Sequence, residues 1–300
     1  MKLDAVGFGA LNLDKLYSVD KIAGAGEETF VKSLTVSAGG SAANTIVGLA
    51  RLGLDTGYIG KLANDPEGRY LLGDIKREGI DTGGVTISKS GRSGVCIGLV
   101  DERGERALYI DPGVNDKLTS REVEVTYADS SKILHLTSFV GDAPFNAQKY
   151  LAENSKKALV SLDPGALYAK RGLRALDPIL RRVSVFLPNE NELRIMTKKD
   201  YRRGSKDLLA KGVETIAVKL GKKGCFVTNG RESYLIPARA RKPKDTTGAG
   251  DAFCAGFLYG LLNEKDLYIC GKLGNFVASR CISEYGGRNG LPKESDLPNL

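Results

Sequence analysis

The sequence predicts an α/β protein with a mostly parallel sheet and helices on both faces of that sheet. Two observations support this prediction: short apolar runs alternate with segments of helical periodicity, and glycine or Asp-Pro turns end several of the runs, as at 163–165 (DPG). Ligands of such sheets collect at the carboxyl ends of the strands. We therefore expect Asn12, Asp163 and Asn189 to lie along that edge.

Apolar runs give the predicted strands of the main sheet: 5–10, 57–62, 133–137, 158–162, 183–187 and 215–220. Helical periodicity predicts helices near 42–52, 66–78, 145–156, 176–182 and 203–211, and 252–262 (AFCAGFLYGLL) is apolar enough for a buried helix. Three further runs depart from this alternation and have strand character: 29–37, 94–100 and 105–110, the last two joined by a turn at 101–104. They predict a small second sheet standing off the main one.

The length and composition indicate one large domain. At 300 residues the chain can enclose a generous core, and without a low-complexity linker one discontinuous domain over 1–300 is favoured over two. No apolar run approaches the roughly 20 residues of a membrane span, and the N-terminus lacks a signal-peptide pattern, so we expect a cytoplasmic protein without a membrane partner. The five cysteines are odd in number and dispersed, which suits reduced thiols and not a disulfide or zinc framework.

The formal net charge of +8 raises the question of nucleic-acid binding, but the Lys and Arg residues are spread along the chain. Tryptophan is absent, and the aromatic residues are not interleaved with basic ones as in single-strand stacking platforms. We therefore expect no nucleic-acid partner. One local group of basic residues is either solvated surface or a means of attracting a polyphosphate nucleotide. It comprises Arg231, Arg239, Arg241, Lys242 and Lys244.

The segment 245–253 (DTTGAGDAF) places a turn of small residues and a carboxylate at the start of the apolar helix. The backbone N–H groups of a first helical turn are free, and together with the helix dipole they favour an anion. Asp251 is placed to accept a proton from a substrate hydroxyl, while the amides of Gly248, Ala249 and Gly250 stabilise charge on a transferring phosphate. The alternatives are a helix cap for Asp251 and an ordinary tight turn for its neighbours.

Other nucleotide and hydrolase motifs are missing from the sequence. It contains no Gly-x-x-x-x-Gly-Lys-Ser/Thr run, and 7–12 (GFGALN) lacks the last glycine of the dinucleotide fingerprint. His135 is the only histidine, and it lies inside a predicted strand instead of beside a nucleophile elbow. We therefore expect a histidine of the core or the sheet edge, not a general base.

A second glycine-rich segment, 38–44 (AGGSAAN), leads into the predicted helix at 42–52. Together with 245–253 it resembles the two signature regions of the ribokinase, or PfkB, family of carbohydrate kinases. Three further segments are similar to that family in the same order: 9–14 (GALNLD), 188–192 (PNENE) with its Asn-x-x-Glu motif, and 219–224 (KLGKKG). The resemblance implies a ribokinase-like three-layer α/β/α core and a small β-sheet lid contributed by about 12–37 and 91–112.

The resemblance also implies residues that bind the acceptor. Asn12 and Asp14 resemble ligands of sugar hydroxyls, since a carboxylate can accept hydrogen bonds from two adjacent hydroxyls. A strand-end turn is the alternative for both. Gly39, Gly40 and Asn44 are similar to the second wall of the family's sugar site, and Asn44 could instead cap the helix that follows it.

Nucleotide and metal residues are implied in the same way. Asn189 and Glu192 resemble the pair that arranges magnesium and its waters around the phosphates, and an exposed first-turn glutamate is the alternative for Glu192. Asp245 and Thr247, with carbonyls from 283–287, resemble a monovalent-cation site such as one for K⁺. The implied nucleotide contacts, with a surface or core position as the alternative, are Asn189, Lys219, Gly221, Gly224 and Asn275.

The activity that the resemblance implies is transfer of the terminal phosphoryl group of a nucleotide, ATP or ADP, to a hydroxyl of a small sugar or sugar-containing acceptor. A phosphorylated pentose and a nucleoside stay open as acceptors, and a non-catalytic sugar or nucleoside sensor is the alternative of another class. Ser41 stands where many ribokinases have lysine, and 135–139 (HLTSF) departs from the pattern of ribose kinases, which puts free ribose in doubt. A homodimer through the lid is a further implication.

If the acceptor is phosphorylated, we expect a basic side chain of the lid to bind its phosphate. Arg92, Arg103 and Arg106 flank the predicted lid strands, and one of them should then pair with the phosphate of the acceptor. Solvation of the hairpin is the alternative for each of these arginines.

Overall fold

The computed structural model describes residues 2–103, 105–239 and 241–298. In chain order, its strands are β1 (Leu3–Phe8), β2 (Asn12–Val19), β3 (Val31–Gly39), β4 (Thr56–Ala63), β5 (Asp81–Ser88), β6 (Gly94–Val100), β7 (Arg106–Asp111), β8 (Ser131–Thr137), β9 (Leu159–Asp163), β10 (Val183–Phe186), β11 (Thr215–Lys219), β12 (Cys225–Thr228) and β13 (Ser233–Ile236). Its helices are α1 (Ser41–Arg51), α2 (Pro66–Arg77), α3 (Val125–Ala128), α4 (Asp142–Asn154), α5 (Gly165–Leu180), α6 (Glu190–Thr197), α7 (Tyr201–Leu209), α8 (Ala249–Leu262) and α9 (Leu267–Cys281).

The main sheet has the strand order β13-β12-β11-β10-β9-β8-β1-β4-β5 and is parallel from β11 to β5. Successive side chains of its strands enter two different apolar cores, as Ala217 does on one face and Ile216 and Val218 do on the other. Helices α1, α2, α8 and α9 cover the first face, and α4 to α7 cover the second. The result is a three-layer α/β/α core, with the carboxyl ends of the parallel strands on one edge.

The structure adds elements that the sequence pattern does not predict. Strand β5 contains two glycines and is half-exposed, and β12 and β13 form a short antiparallel hairpin at the sheet edge. The helix predicted at 176–182 is only the last part of α5, because the non-helical backbone of Gly172 (φ 79°) interrupts the periodicity before it. Among the described residues no helix is both long and apolar enough to span a membrane.

The small sheet has the order β3-β2-β6-β7 and stands apart from the main sheet. Strand β2 pairs in parallel with β6, and the β3 and β7 pairs are antiparallel. The register aligns Asp14 with Cys96 and Cys96 with Ile110, so these three side chains share one face of the sheet. Gly104, in the predicted hairpin turn, lies outside the described residues.

Candidate active site

Three adjoining cavities lie at the carboxyl ends of the parallel strands. The lid cavity, of about 430 Å³, has a lining that includes Asn12, Asp14, Asn44, Ile110 and Asp251. The central cavity, of about 310 Å³, has a lining that includes Asp163, Asn189, Glu192, Lys219 and Asp251. The distal cavity, of about 440 Å³, has a lining that includes Lys219, Gly221, Gly224, Phe253 and Asn275. Asp251 borders the first two, Lys219 borders the last two, and Gly250 borders all three.

The first turn of α8 supplies the backbone between these cavities. Gly248 is the N-cap residue of α8 and has a left-handed backbone (φ 73°). A Cβ there would lie 2.6 Å from Cα of Gly287, so a larger residue would displace the main chain. Asp251 is the third residue of the helix, which rules out the alternative that it is the cap. Its neighbours Ala249 and Gly250 have first-turn amides, the groups that lack intrahelical partners.

The Asp251 carboxylate is enclosed by protein except where it borders the cavities. Its pKa is raised to about 7, chiefly by desolvation and further by the charge of Asp163. The hydrogen bond from Asn44, the charge of Lys219 and a hydrogen bond from Ser41 oppose this rise. Asn44 Nδ2 donates to Asp251 Oδ2 at 2.8 Å. A carboxylate with a pKa near neutrality is suited to accept a proton from a hydroxyl.

Asn44 is oriented by a residue from the far end of the chain. Arg288 Nε donates to Asn44 Oδ1 at 2.7 Å, and the same guanidinium forms an ion pair with Asp74 of α2. The amide of Asn44 therefore has its oxygen fixed by Arg288 and its nitrogen directed at Asp251. The alternative that Asn44 caps α1 is wrong, because Gly40 is the N-cap residue of that helix.

Asn12 and Asp14 lie on the small sheet, in β2, whereas the sequence pattern predicts Asn12 at the edge of the main sheet. Desolvation raises the pKa of Asp14 to about 6, against a lowering by the charge of Arg288. A Cβ on Gly39 would lie 2.2 Å from Asp14 Oδ2, so the glycine provides the space for this carboxylate. Asn12 Oδ1 accepts a hydrogen bond from Asn115 Nδ2 at 3.0 Å.

The Gly39-Gly40 pair has a second steric role. Gly40 has φ 106°, and a Cβ there would lie 2.1 Å from the carbonyl oxygen of Ala10. The small residues thus let the start of α1 approach the segment between β1 and β2. Gly40 and Asn44 line the lid cavity together with Asn12 and Asp14, which brings four of the predicted acceptor residues to one place.

A buried ion pair lies beneath the central cavity. Lys219 Nζ is 2.5 Å from Asp163 Oδ2, and Cys254 Sγ donates to the same oxygen at 3.4 Å. Burial alone would lower the pKa of Lys219, but the charges of Asp163, Cys254 and Glu192 raise it, so the ammonium stays charged. Asp163 and Lys219 occupy the carboxyl ends of β9 and β11, where they meet although 56 residues separate them.

Asn189 and Glu192 form a capping box at the start of α6. Glu192 N donates to Asn189 Oδ1 at 2.8 Å, and Glu192 Oε2 and Oε1 accept from the Asn189 amide and side chain at 2.8 and 2.7 Å. Glu192 is buried, so the alternative of an exposed first-turn glutamate is wrong. Desolvation and the charge of Asp163 raise its pKa, while Lys219 lowers it.

The distal cavity has an apolar interior and basic side chains in its lining. Asn275 Nδ2 donates to the carbonyl oxygens of Ile236 and Pro237, both at 3.1 Å, and so attaches α9 to the end of β13. Gly224 has φ 98°, and a Cβ there would lie 2.0 Å from the Ile236 carbonyl oxygen. Of the basic group at 231–244, Arg239 and Arg241 line this cavity.

Asp245 and Thr247 contact each other and the segment before Arg288. Asp245 Oδ1 accepts from Thr247 N at 2.9 Å and from Thr247 Oγ1 at 2.7 Å, and Asp245 Oδ2 accepts from Gly286 N at 2.9 Å. The structure therefore brings Asp245 and Thr247 to the segment 283–287 through the Gly286 amide, while the predicted cation site formed with carbonyls of that segment stays a prediction. His135, by contrast, is buried in β8 with Nδ1 3.0 Å from Ser161 Oγ, and burial lowers its pKa to about 4.

Sequence reasoning missed several residues of the site. Asp163 was predicted to lie on the sheet edge, but not as the partner of Lys219; its position directly after an apolar run was the available signal. Arg288, Asn115 and Cys254 carry no local signal, because their contacts with Asn44, Asn12 and Asp163 span 244, 103 and 91 residues of sequence.

The chain is similar to known carbohydrate kinases over almost its whole length. The model of the pfkB family carbohydrate kinases matches residues 2–294. An uncharacterized sugar kinase of Archaeoglobus fulgidus is 47% identical over 253 residues, which cover 83% of this chain and 100% of that protein. An ATP-dependent ribose-1-phosphate kinase of Halopiger xanaduensis is 31% identical over 281 residues, or 94% of this chain and 92% of that protein.

Solved structures agree with this match. The crystal structure of a ribokinase from Thermotoga maritima superposes with a TM-score of 0.88 at 25% identity, covering 98% of this chain and 97% of that one. The ribokinase-like fold predicted from the sequence is thereby confirmed. Because the family model and these relatives span nearly all of the sequence, the chain belongs to the pfkB family of carbohydrate kinases.

Proposed function

We propose that this carbohydrate kinase transfers the terminal phosphoryl group of ATP to a hydroxyl of a sugar-containing acceptor, with Asp251 as general base. One observation carries the proposal. The Asp251 carboxylate stands between the lid and central cavities, its pKa is raised to about 7, and the first-turn amides of α8 lie beside it. A base and an anion site are thus adjacent at the boundary of two cavities, as in-line transfer requires.

In the proposed reaction the acceptor occupies the lid cavity. Asp14 accepts hydrogen bonds from its hydroxyls and Asn12 accepts or donates them, while Gly40 and Asn44 form another part of the wall. Gly39 does not line the cavity and provides the space for the Asp14 carboxylate. Asp251 takes the proton of the attacking hydroxyl as its oxygen bonds to phosphorus and the bond to the leaving nucleotide breaks. The amides of Gly248, Ala249 and Gly250 stabilise charge on the phosphoryl oxygens.

The donor fits the central and distal cavities. The apolar lining of the distal cavity, which includes Phe253, suits a nucleobase, and Gly221, Gly224 and Asn275 shape it. Lys219 borders both cavities and is charged, so it is positioned for the phosphates. The relative named as ATP-dependent supports ATP over ADP as the donor.

The residues around the central cavity fit a magnesium ion held through water. The carboxylates of Glu192 and Asp163 line this cavity, and carboxylate oxygens are ligands that Mg²⁺ prefers. Within the described ranges no three His, Cys, Asp or Glu side chains converge to cage a metal, which suits an ion bound mainly by phosphates and water. Magnesium, when bound, neutralises charge on the transferring phosphate. Asp245 and Thr247 are the proposed donors for K⁺.

A phosphorylated pentose is the second candidate acceptor, because the Halopiger relative is named a ribose-1-phosphate kinase. A non-catalytic sensor of sugars or nucleosides is the candidate of another class. The geometry of the base and the anion site supports the enzyme over the sensor, since binding alone requires neither.

We also propose a cytoplasmic homodimer that associates through the small sheet. Val36, Ile97 and Tyr109 are exposed and share one register row on the face opposite Asp14, with Leu34 beside them. Lys15 stands between Val36 and Ile97 in that row and forms an ion pair with Glu67. An exposed apolar face of this kind is typical of a protein interface.

The cysteines are free thiols, four of them buried, which fits the reducing compartment of the proposed cytoplasmic location.

The test is a transfer assay with the purified protein, magnesium and either ATP or ADP, against a panel of sugars, phosphosugars and nucleosides. Phosphorus NMR of the products identifies the phosphorylated hydroxyl. We expect a phosphorylated acceptor and the matching nucleotide product in stoichiometric amounts. Binding of an acceptor without any transfer would support the sensor and contradict the kinase.

A further inference from the structure

The lid cavity is lined by acidic groups. The carboxylates of Asp14, Asp116 and Asp251 all border it, and among its described lining residues there is no Lys or Arg. Once ionised, these carboxylates repel a phosphate or carboxylate on the acceptor, and the described lining offers no Lys or Arg side chain to offset that repulsion. This charge distribution favours an uncharged acceptor.

Two arginines that contact lining residues of this cavity also bind other groups. Arg288 is held by Asn44 and Asp74, as described above. Arg171 Nη1 lies 2.6 Å from Asp142 Oδ1, and its Nη2 donates to the Val140 carbonyl at 2.7 Å.

Two of the three lid arginines that a phosphorylated acceptor would require, Arg92 and Arg103, are not among the described residues that line the cavity. Arg92, 80% exposed at its side chain, pairs with Asp111 at 3.0 Å, and Arg103 is exposed in the hairpin turn. The side chain of Arg106 lies outside the described part of the chain.

One side of the lid cavity is apolar although it faces solvent. Ile110, Val140 and Leu167 are 50, 43 and 37% exposed, and all three line the lid cavity. None of the three borders the central cavity, so they lie on the acceptor's side, away from the phosphates. Small polar sugars need few apolar contacts, whereas a planar base buries apolar area against such side chains.

The lid strands present polar and apolar groups to the same cavity in a fixed order. Asp14, Cys96 and Ile110 follow one another across β2, β6 and β7 on one face, so Asp14 and Ile110 are about 10 Å apart at about 4.8 Å per strand. That separation suits a ribose at one end and a base at the other.

We infer that the acceptor is an uncharged nucleoside. Its ribose hydroxyls contact Asp14 and Asn12, its primary hydroxyl faces Asp251, and its base packs against Ile110, Val140 and Leu167. The inference rests on the proposed phosphotransferase function. In the step, the acceptor oxygen bonds to the γ-phosphorus of ATP, the bond from that phosphorus to ADP breaks, and Asp251 takes the hydroxyl proton.

The first test compares kcat/KM for neutral and anionic acceptors at pH 8, above the raised pKa values of Asp14 and Asp251. The acceptors are adenosine, guanosine, cytidine, uridine, ribose, ribose 1-phosphate and 2-dehydro-3-deoxygluconate, each with ATP and magnesium. We expect at least one nucleoside to exceed ribose and both anionic acceptors by 10-fold or more. Preference for an anionic acceptor, or ribose equal to every nucleoside, overturns the inference and leaves the kinase standing. No transfer to any acceptor overturns the kinase itself.

The second test concerns the apolar wall. Leu167→Asn and Val140→Asn should each raise KM for the preferred nucleoside by 5-fold or more and leave KM for ATP within 2-fold of wild type. The matched control is Leu235→Asn, because Leu235 is also exposed but lies on β13, outside the lid cavity. Nucleoside KM values that match the control in both wall variants contradict the assignment of the base to this wall.

Discussion

The side-chain amide of Asn44 makes one hydrogen bond at each end, and this fixes which atom faces the catalytic carboxylate. Its oxygen accepts a hydrogen bond from Arg288 at 2.7 Å. The NH₂ group therefore faces Asp251 and donates to it at 2.8 Å. A donor stabilises the ionised form of the carboxylate and so opposes the rise in pKa that desolvation causes. Arg288 therefore acts on Asp251 through Asn44, as a positioning residue.

We expect Arg288→Met to move the acid limb of the kcat/KM pH profile to higher pH by about one unit. A hydrogen bond to a charged group contributes about 1.5–3 kcal/mol, and one pKa unit corresponds to about 1.4 kcal/mol. The sign follows because the ionised base is the active form, and losing the oriented donor makes ionisation harder. The control is Lys61→Met, which removes a partly buried ion pair with Glu122 but no contact with Asn44. Equal shifts in both variants would contradict the positioning role.

Asp14 is the residue on which acceptor recognition depends most. We expect Asp14→Ala to lower kcat/KM for the acceptor roughly 10- to 150-fold, since a hydrogen bond to a charged group contributes about 1.5–3 kcal/mol, while the Kd for nucleotide stays within about 2-fold. Steady-state kinetics and nucleotide titration at pH 8 measure both. Asp20→Ala is the matched control, because Asp20 is an exposed carboxylate just after the same strand. Acceptor kinetics like those of wild type would refute this sugar site.

At the scale of elements, two glycines at the start of α8 are required for different reasons. At Gly248 the backbone itself forbids a side chain, whereas a Cβ on Gly250 would meet Lys219 Nζ at 3.4 Å, an ordinary contact. Substitution at Gly250 should thus be tolerated by the fold, but the γ-methyl groups of a valine would enter the space shared by the three cavities.

We expect Gly250→Val to reduce kcat by about 100-fold or more, the scale of losing one donor of an anion site, with a fall in Tm of only a few degrees. Turnover and thermal unfolding of the same preparation measure both effects. Leu261→Val places a β-branched residue later in the same helix and controls for helix propensity. A large fall in Tm with normal turnover of the folded fraction would indicate a purely structural turn.

The elements that the sequence predicts well are those with a clear hydrophobic periodicity or with turn residues at their ends. Helix α1 and the strands β8 and β9 lie within one or two residues of their predicted bounds, because an apolar run marks each of them and glycine or Asp-Pro follows α1 and ends β9. Strand β2 was not separated from β1, since only three residues, 9–11, connect them. The Asp14 site was therefore found by resemblance, which also implies a lid that includes 12–37, while the strand partners of Asp14 on the small sheet required the structure.

At the scale of the whole molecule, the site is assembled from distant parts of the chain. Asn44, Asp163 and Asp251 meet because α1, β9 and α8 end or begin at the same edge of the sheet. Motifs with glycine and a carboxylate reveal such residues in the sequence, and Asp251 was predicted in this way. Arg288 was not, since its partner Asn44 is 244 residues away and a lone arginine near the C-terminus reads as surface.

The outer face of the small sheet gives a prediction about assembly. We expect the protein to sediment as a dimer at micromolar concentration and Leu34→Glu to sediment as a monomer, because a buried glutamate would be desolvated without a partner. Leu235→Glu, on the edge strand of the main sheet, should remain a dimer. A monomeric wild-type protein would contradict the proposed interface and leave the active site unaffected.

The single-turnover rate of Asp251→Asn tests the central claim most directly, because product release does not affect it. The substitution keeps the shape of the side chain and removes its basicity, so we expect transfer from ATP to the acceptor found by the panel to fall by about 100-fold or more. The Kd for ATP and the circular dichroism spectrum should match wild type, whose own rate should rise with pH through about 7 as Asp251 ionises. A rate within threefold of wild type, in a preparation free of host kinases, would contradict Asp251 as the general base.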